Sequence, residues 1–351
     1  MANSKSLRDV KLHNTETVLK CILDKNSTSR VEIAELCNLA PSTVGHVVAS
    51  LIDSRLIVEY QAGASSGGRK PILLKINPKY GVVILFEVKR SGLYVKTLDL
   101  DRNILEDKRL TTRMPTGNLL LDRTSSYVTQ IQKGVEGIPD NVLGIGLLCQ
   151  DDIPEYDLTA EFSTGVVSDV IRMERALSAR CNVPVKKELI NRYSLDCYLH
   201  SSEIKCENYV FLNLGERITA SFVLNNTLVQ NSNDAVFDIS SAVLAGNYAA
   251  MGSTKNRTLE LAHELALKKL SAQEMADKLA SVLKSALLFF PVENVFVGGS
   301  FENLDDVVAQ LSQNFYLKLA VWKANFGTLH VSASFAQQIL LENYKQLLTA
   351  R

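Results

Sequence analysis

The segment SRVEIAELCNLAPSTVGHVVASLIDSRLIVEY, residues 29–60, has the spacing of two short helices joined by a tight turn. Val31, Ile33, Ala34 and Leu36 supply the apolar positions of the first helix. Asn38, Leu39 and Ala40 make the turn, and Pro41 to Ser54 forms the second. Proline fits a first helical turn, because the N–H it lacks has no intrahelical acceptor there. Val44, Val47, Val48, Leu51 and Ile52 then recur at helical spacing as a buried stripe. Ser42, Thr43, Gly45, His46 and Ser50 are left facing outward. Short polar side chains near a helix N-terminus suit a DNA major groove, where base edges offer donors and acceptors and the helix end favours phosphate. Ser42, Thr43 and His46 are therefore the candidate DNA-contacting residues. A generic helical hairpin with a solvated face is the competing reading, and His46 alone decides nothing.

Upstream, Asn14 or Thr15 can cap a further helix carrying Val18, Leu19, Ile22 and Leu23, the third helix such a unit needs for its core. Downstream, Leu56 to Gln61 reads as a strand, Ala62 to Pro71 as a glycine- and serine-rich loop, and Ile72 to Ile76 as a returning strand: a wing. Arg69 and Lys70 in that loop can follow a phosphate path or reach into a minor groove, where the bland alternative is a polar hairpin loop.

The chain has 351 residues, enough for two or three domains, and its 46% hydrophobic and 22% charged residues are those of an ordinary globular protein. Its net charge is zero, but residues 1–80 carry 11 Lys+Arg against 7 Asp+Glu, so the basic end is also the helix-turn-helix end. No apolar run is long enough for a bilayer span and the first eleven residues are too polar for a signal peptide, so a cytoplasmic protein without membrane attachment is expected. The six cysteines form neither a CxxC pair nor a metal-like cluster with the five histidines and are expected to be reduced, Cys21 and Cys37 packing inside the small domain.

From Asn77 the texture changes. Strands are expected at Val82–Val88, Gly92–Leu98 and Ile104–Thr112, and a comparable set recurs at Tyr209–Gly215, Ala220–Leu224 and Thr227–Gln230, with Asn225 and Asn226 at a tight turn. This weak internal echo suggests two similar α/β lobes. Helical patterns cover about Leu120–Gly134 and Ser168–Ala179, then Thr258–Leu270, Ala272–Phe290 and Ser334–Leu348. Further strands are expected at Leu143–Leu148, Val183–Lys187 and Asn294–Val297.

The segment GASSGGRKPILLKINPKYGVVILFEV, followed in order by LDLDRNIL (98–105), GIG (144–146), VPVKKE (183–188), LNLG (212–215) and NVFVGGS (294–300), resembles the ROK family, which combines repressors and sugar kinases on an actin-like fold. The resemblance covers nearly the whole chain. It implies an α/β architecture: an N-terminal winged helix-turn-helix over residues 1–78, followed by a two-lobed actin-like (sugar-kinase-type, ribonuclease H-like) domain. The first lobe would span 79–190, completed by a C-terminal helix at 334–348, and the second 191–333.

Departures from the family's kinases bear on catalysis. Where those enzymes carry a glycine pair for ATP phosphates, this chain has Lys89 and Arg90, a pair that reads as surface charge or as an anion contact. Their E-N-D run becomes Glu188, Leu189, Ile190, and isoleucine cannot take a proton from a sugar hydroxyl. Glu188 belongs to a remnant sugar pocket or caps the following helix. Asn191 can hydrogen-bond a sugar, and Asp238 retains a carboxylate where the family binds sugar, or is a surface turn residue. The family's G-E-I-G-H segment corresponds to Phe237, Asp238, Ile239, Ser240 and Ser241, a serine where a zinc-binding histidine is expected, and residues 242–256 lack cysteine, so no zinc site carries over. The resemblance implies a non-enzymatic, cofactor-free transcriptional repressor that binds a double-stranded DNA operator as a homodimer or higher homo-oligomer. A sugar or sugar phosphate would be its effector. The competing readings are a divergent ROK sugar kinase with an appended DNA-binding domain, and an oligomerisation scaffold without a small-molecule response.

Overall fold

The computed structural model describes residues 7–25, 27–61, 72–163, 168–201, 206–229, 237–245, 267, 269–290, 292–315, 320–323 and 331–349. The chain divides into two compact units, one of residues 1–147, 160–187 and 332–351, the other of 148–159 and 188–331. Among the described residues no helix is long and apolar enough to cross a membrane.

The first unit begins with a winged helix-turn-helix: α1 (Leu7–Lys25), β1 (Thr28–Ser29), α2 (Arg30–Cys37), α3 (Pro41–Asp53), β2 (Ile57–Gln61) and β3 (Ile72–Ile76). Ser29 and Glu32 form a reciprocal capping box that starts α2, and Asn38 ends it in the left-handed conformation, which asparagine tolerates better than most residues. The three strands pair in the order β1-β3-β2. Two sequence expectations need correction here. The first helix begins well before Asn14 and Thr15, which lie inside α1, where the Thr15 hydroxyl donates to the Lys11 carbonyl instead of capping. Of the four apolar positions assigned to α2 only Ile33 is buried; Val31 and Leu36 are 68% and 57% exposed, because an eight-residue helix presents only a narrow face to its neighbours.

The two sheets that follow share one plan. In the first, β4 (Val82–Lys89), β5 (Gly92–Asp99), β6 (Ile104–Arg109), β7 (Val142–Cys149) and β10 (Val185–Leu189) lie in the order β10-β7-β4-β5-β6. In the second, β11 (Tyr209–Leu214), β12 (Ile218–Leu224), β13 (Thr227–Leu228), β15 (Asn294–Gly299) and β16 (Ala320–Lys323) lie in the order β13-β12-β11-β15-β16, with β14 (Phe237–Asp238) beside β12. Each is an antiparallel meander followed by two more strands on the far side of its first strand. This is the repeat behind the sequence echo. Asn225 and Asn226, both at positive φ, make the turn between β12 and β13 as expected. The central strands VVILFEVK and VLGIGLLC are apolar almost throughout because both of their faces are covered.

Where a helix was expected over Ser168–Ala179, Ser168–Arg172 is instead strand β9, pairing with β8 (Thr159–Ser163), and α5 covers Met173–Cys181. Adjacent β-branched Val170 and Ile171 favour the ladder over the helix. Strand β6 stops at Arg109 and not Thr112, because the Arg109 guanidinium bonds the carbonyls of Ser91, Thr111 and Thr112 and turns the chain. The expected helix at Ala272–Phe290 ends at Ala286 as α8, preceded by α4 (Gly117–Gln132), α6 (Ile190–Ser201) and α7 (Ser240–Ala245). Most of the segment expected as a helix at Thr258–Leu270 lies outside the described residues. Sequence periodicity did not reveal α9 (Leu304–Asn314) or β16.

The C-terminal helix α10 (Val331–Thr349) ties the winged helix-turn-helix to the first sheet. Leu340 of α10, Leu100 and Leu143 belong to the same apolar cluster as Val18, Leu19, Val44, Val48 and Leu51 of the three-helix unit. Gln337 of α10 donates to Asp24 of α1 at 2.7 Å and accepts from Arg102 at 3.4 Å. On its other side α10 lies flush on β7. A Cβ at Gly144 would come within 2.3 Å of Ile339, and one at Gly146 within 2.6 Å of both Leu85 and Phe335. The GIG sequence is thus a seat for a helix.

Candidate DNA-reading surface and the polar cluster of the second unit

Helix α3 buries Val44, Val47, Val48 and Leu51 and leaves Ser42, His46, Ala49 and Ser50 exposed, with Thr43 and Gly45 half-exposed. Its N-cap is Ala40, which supplies no side-chain acceptor, so the first amides of the helix carry no cap that would compete with an incoming anion. The His46 Nδ1 lies 2.8 Å from the Ser42 carbonyl. Since a carbonyl only accepts, Nδ1 carries the hydrogen and Nε2 is turned outward. Space beyond Gly45 is open for 4 Å. Ser42, Thr43 and His46 therefore share one accessible face. Beside it, Arg30 at the start of α2 pairs with Glu59 of β2 at 2.5 Å, and Lys75 of β3 covers the Tyr60 ring. Arg69 and Lys70 of the wing loop lie outside the described residues.

In the second unit the residues singled out from sequence fall into two places. Glu188 and Asn191 flank the start of α6, in a buried polar cluster. Arg192, 7% exposed, donates through Nη2 to Glu188 and through Nη1 to Asp196 at 2.5 Å, while the Tyr209 hydroxyl donates to Asp196. Asp151, 4% exposed, accepts from the backbone N–H groups of Asn191 at 2.7 Å and Arg192 at 3.3 Å, so it caps α6. The Asn191 amide donates to Asn213 at 2.9 Å. Asp238 lies elsewhere. Strand register sets Gly298, Asn213, Thr219 and Asp238 in one row across the second sheet, so Asp238 is two strands, about 10 Å, from Asn213. Its carboxylate is ion-paired with Arg217 and accepts from the Ser240 N–H at 3.0 Å. Both carboxylates proposed for a sugar pocket are thus held by arginines of the same chain. Asp151, its neighbour Asp152 and Arg192 escaped sequence reasoning; two adjacent acids one residue beyond a fully apolar strand were the available signal.

Burial, above all, pushes Asp151 up to about 7, with Asp152 adding to the rise; its two backbone donors and Arg192 act the other way. An unfolded aspartate ionises near 3.9. Between these values the folded chain keeps a proton that the unfolded chain releases, so this group's contribution to stability is largest below about pH 4. It declines as pH rises towards 7 and is flat above, a total of roughly 4 kcal/mol. Asp151→Asn should remove that decline; unfolding midpoints of both proteins between pH 4 and 8 measure it, and parallel profiles would refute the assignment.

The hairpin between β4 and β5 has no room for a phosphate loop. Lys89 pairs with Gly92 across a two-residue turn of Arg90 and Ser91. The Lys89 ammonium bonds Glu87 at 2.5 Å and lies over the Tyr94 ring, and Lys96 reaches Glu87 at 2.8 Å. Burial raises the Glu87 carboxyl, but these two lysines outweigh it and hold it below the usual glutamate range. Gly299, at φ +118°, sits where a Cβ would come within 2.4 Å of the Leu214 carbonyl, so the GG of NVFVGGS has a packing role between β11 and β15.

No protein-family model matches the chain. It is 26% identical over 226 residues to the xylose repressor of Bacillus subtilis (strain 168), a match covering 62% of this chain and 57% of that protein. It is also 26% identical over 271 residues to the xylose repressor of Lactiplantibacillus pentosus, covering 76% of this chain and 69% of the relative. Its fold is similar to the crystal structure of a ROK family transcriptional regulator described as a homolog of the E. coli MLC protein. That likeness has a TM-score of 0.61 at 15% identity and covers 97% of this chain and 99% of the other. The chain thus shares its fold with a ROK family regulator and is similar in part of its sequence to xylose repressors. In ROK terms, Ile190 is the first residue of α6, and Lys89 is bound to Glu87 where kinases of the family have glycine. Ser240, next to Ser241 at the ROK zinc-histidine position, has a hydroxyl that accepts from the Ile218 N–H at 2.8 Å. Among the described residues no group of three or more His, Cys, Asp or Glu side chains is placed to hold a metal ion.

Proposed function

We propose that this chain is a ROK-type, sequence-specific DNA-binding transcriptional repressor of the cytoplasm. Its actin-like domain is catalytically inactive and serves as an effector and dimerisation module. The observation that carries the reading is the accessible polar face of α3, with an N-terminus free of any side-chain cap, beside a wing whose loop contains Arg69 and Lys70. Ser42, Thr43 and His46 read base edges and phosphates; Arg69 and Lys70 follow the backbone of the duplex. Two copies, paired through their actin-like domains, place two such readers on a near-palindromic operator. The similarity to xylose repressors supports a sugar or sugar phosphate as effector, and Glu188, Asn191 and Asp238 are the residues proposed to line its remnant pocket. An effector shifts the operator-binding equilibrium only if it prefers one conformation. Isoleucine at 190 argues against sugar phosphorylation, since it cannot act as a base.

Replacing Arg69 and Lys70 together by alanine should weaken binding to all duplexes and lower the slope of log affinity against log salt by about two, the loss expected for two phosphate contacts. Fluorescence anisotropy on fragments selected from the source genome measures both quantities. An unchanged slope would reject the wing assignment. ATP-dependent phosphorylation of any hexose would overturn the inactive-domain reading.

A further inference from the structure

The reader contains a pair of thiols that the DNA-binding surface does not use. Cys21 sits about one turn before the end of α1 and Cys37 is the last residue of α2. Both are free and half-buried, and they are near enough for Cys37 to raise the Cys21 thiol. The Cys37 thiol also donates to the Thr17 carbonyl of α1 at 3.8 Å, so its sulfur rests over the helical turn that ends at Cys21. The two line one open pocket of about 520 Å³ together with His13, Lys20, Asp24 and Leu36, so small solutes reach them from solvent.

We propose that Cys21 and Cys37 are a redox modification site, closed to a disulfide by a hydroperoxide and reopened by a dithiol reductant. In the first step one thiol sulfur attacks the peroxide O–O bond; the sulfur takes one oxygen as sulfenic acid, and the other leaves as alcohol or, from hydrogen peroxide, as water. In the second step the remaining thiol attacks the sulfenic sulfur, the S–O bond breaks, and water departs with the thiol proton. The two sulfurs together lose two electrons, which the peroxide gains. Holding both sulfurs in one pocket makes the second step effectively unimolecular. Burial first, then the adjacent Cys37 and Asp24, hold the Cys21 thiol protonated, at about 11, so the first attack on the peroxide falls to Cys37 and Cys21 acts in the second step.

Closure has a mechanical consequence, which rests on the DNA-binding reading. A disulfide is about 2.05 Å long, shorter than a contact between thiols, so its formation draws the end of α2 towards α1. The turn into α3 moves with α2, because the Asn38 and Leu39 N–H groups are bonded to the Glu35 and Ala34 carbonyls. The first residues of α3, including Ser42 and Thr43, follow directly. Oxidation should therefore shift the DNA-contacting end of α3 and weaken operator binding by roughly tenfold.

The test treats the full-length protein with hydrogen peroxide and maps its peptides by mass spectrometry without reduction, then measures operator affinity before oxidation, after it, and after dithiothreitol. A peptide linking Cys21 to Cys37, a reversible loss of affinity, and a Cys37→Ser protein that folds with an unchanged melting temperature but resists the loss are expected. Absence of the linked peptide overturns the site, as does a linkage confined to Cys149, Cys181, Cys197 or Cys206. Linkage with unchanged affinity overturns the mechanical coupling. If reduced protein binds no duplex at all, the DNA-binding reading fails, while the linked peptide still decides the thiol pair.

Discussion

Gly146→Val will destabilise the chain by on the order of 3 kcal/mol or more, because the added side chain must enter space already held by Leu85, Phe335 and Ile339. Overpacking is severe here since all three neighbours are fixed: Leu85 belongs to the buried strand β4, and Phe335 and Ile339 form the buried face of α10. The helix cannot retreat freely, because on its other side it holds Leu340 in the core of the reader. Urea unfolding followed by far-ultraviolet circular dichroism should show a lower midpoint, and the smaller Gly146→Ala change a lesser one. An unaltered midpoint for the valine variant would mean that α10 is not seated on β7. The same substitution should also weaken DNA binding in proportion to the fraction unfolded, linking a position in the first lobe to the function of the reader.

Removing the buried guanidinium of the second unit has a comparable effect through electrostatics. Arg192→Met should cost about 3 kcal/mol, because Glu188 and Asp196 then keep their half-buried charges without the cation that offsets them. The methionine fills much of the volume, so the loss is one of charge compensation more than of packing. Combining it with Glu188→Gln and Asp196→Asn should restore most of the stability. A triple variant no more stable than the single one would assign the loss to packing. The cluster also bears on the proposed effector: with Glu188 already bound to Arg192, a sugar hydroxyl would have to compete with a charged partner for that carboxylate.

The parts of the molecule that were legible in its sequence are those where one local pattern meets one environment. The valines of α3 repeat at helical spacing over a real core, strands β4 and β7 are apolar because they are covered on both faces, and Asn225-Asn226 supplies the two positive φ angles its turn demands. The failures mark places where distant partners decide. Val31 and Leu36 look like core residues only until the short reach of α2 is known. Val170 and Ile171 fit a helix until β8 offers a ladder. Of the candidate sites, the outward residues of α3 were readable from the helix alone, and the i,i+4 spacing of Glu188, Arg192 and Asp196 was a readable ion-pair signal, whereas Asp151 caps α6 from far along the chain, which no spacing rule encodes.

The apolar cluster shared by the reader and the first lobe sets a rule for modular exchange. Leu100, Leu143 and Leu340, scattered over 240 residues of sequence, complete an interior that begins with Val18 and Leu19. A chimera spliced at residue 78 would carry the winged helix-turn-helix, and with it the proposed DNA specificity, away from the three leucines that steady it, leaving a hole in the donor and a mismatched surface in the recipient. Transplanting operator preference between such chains therefore means moving outward-facing residues of α3 one by one, or moving these leucines along with the whole front segment.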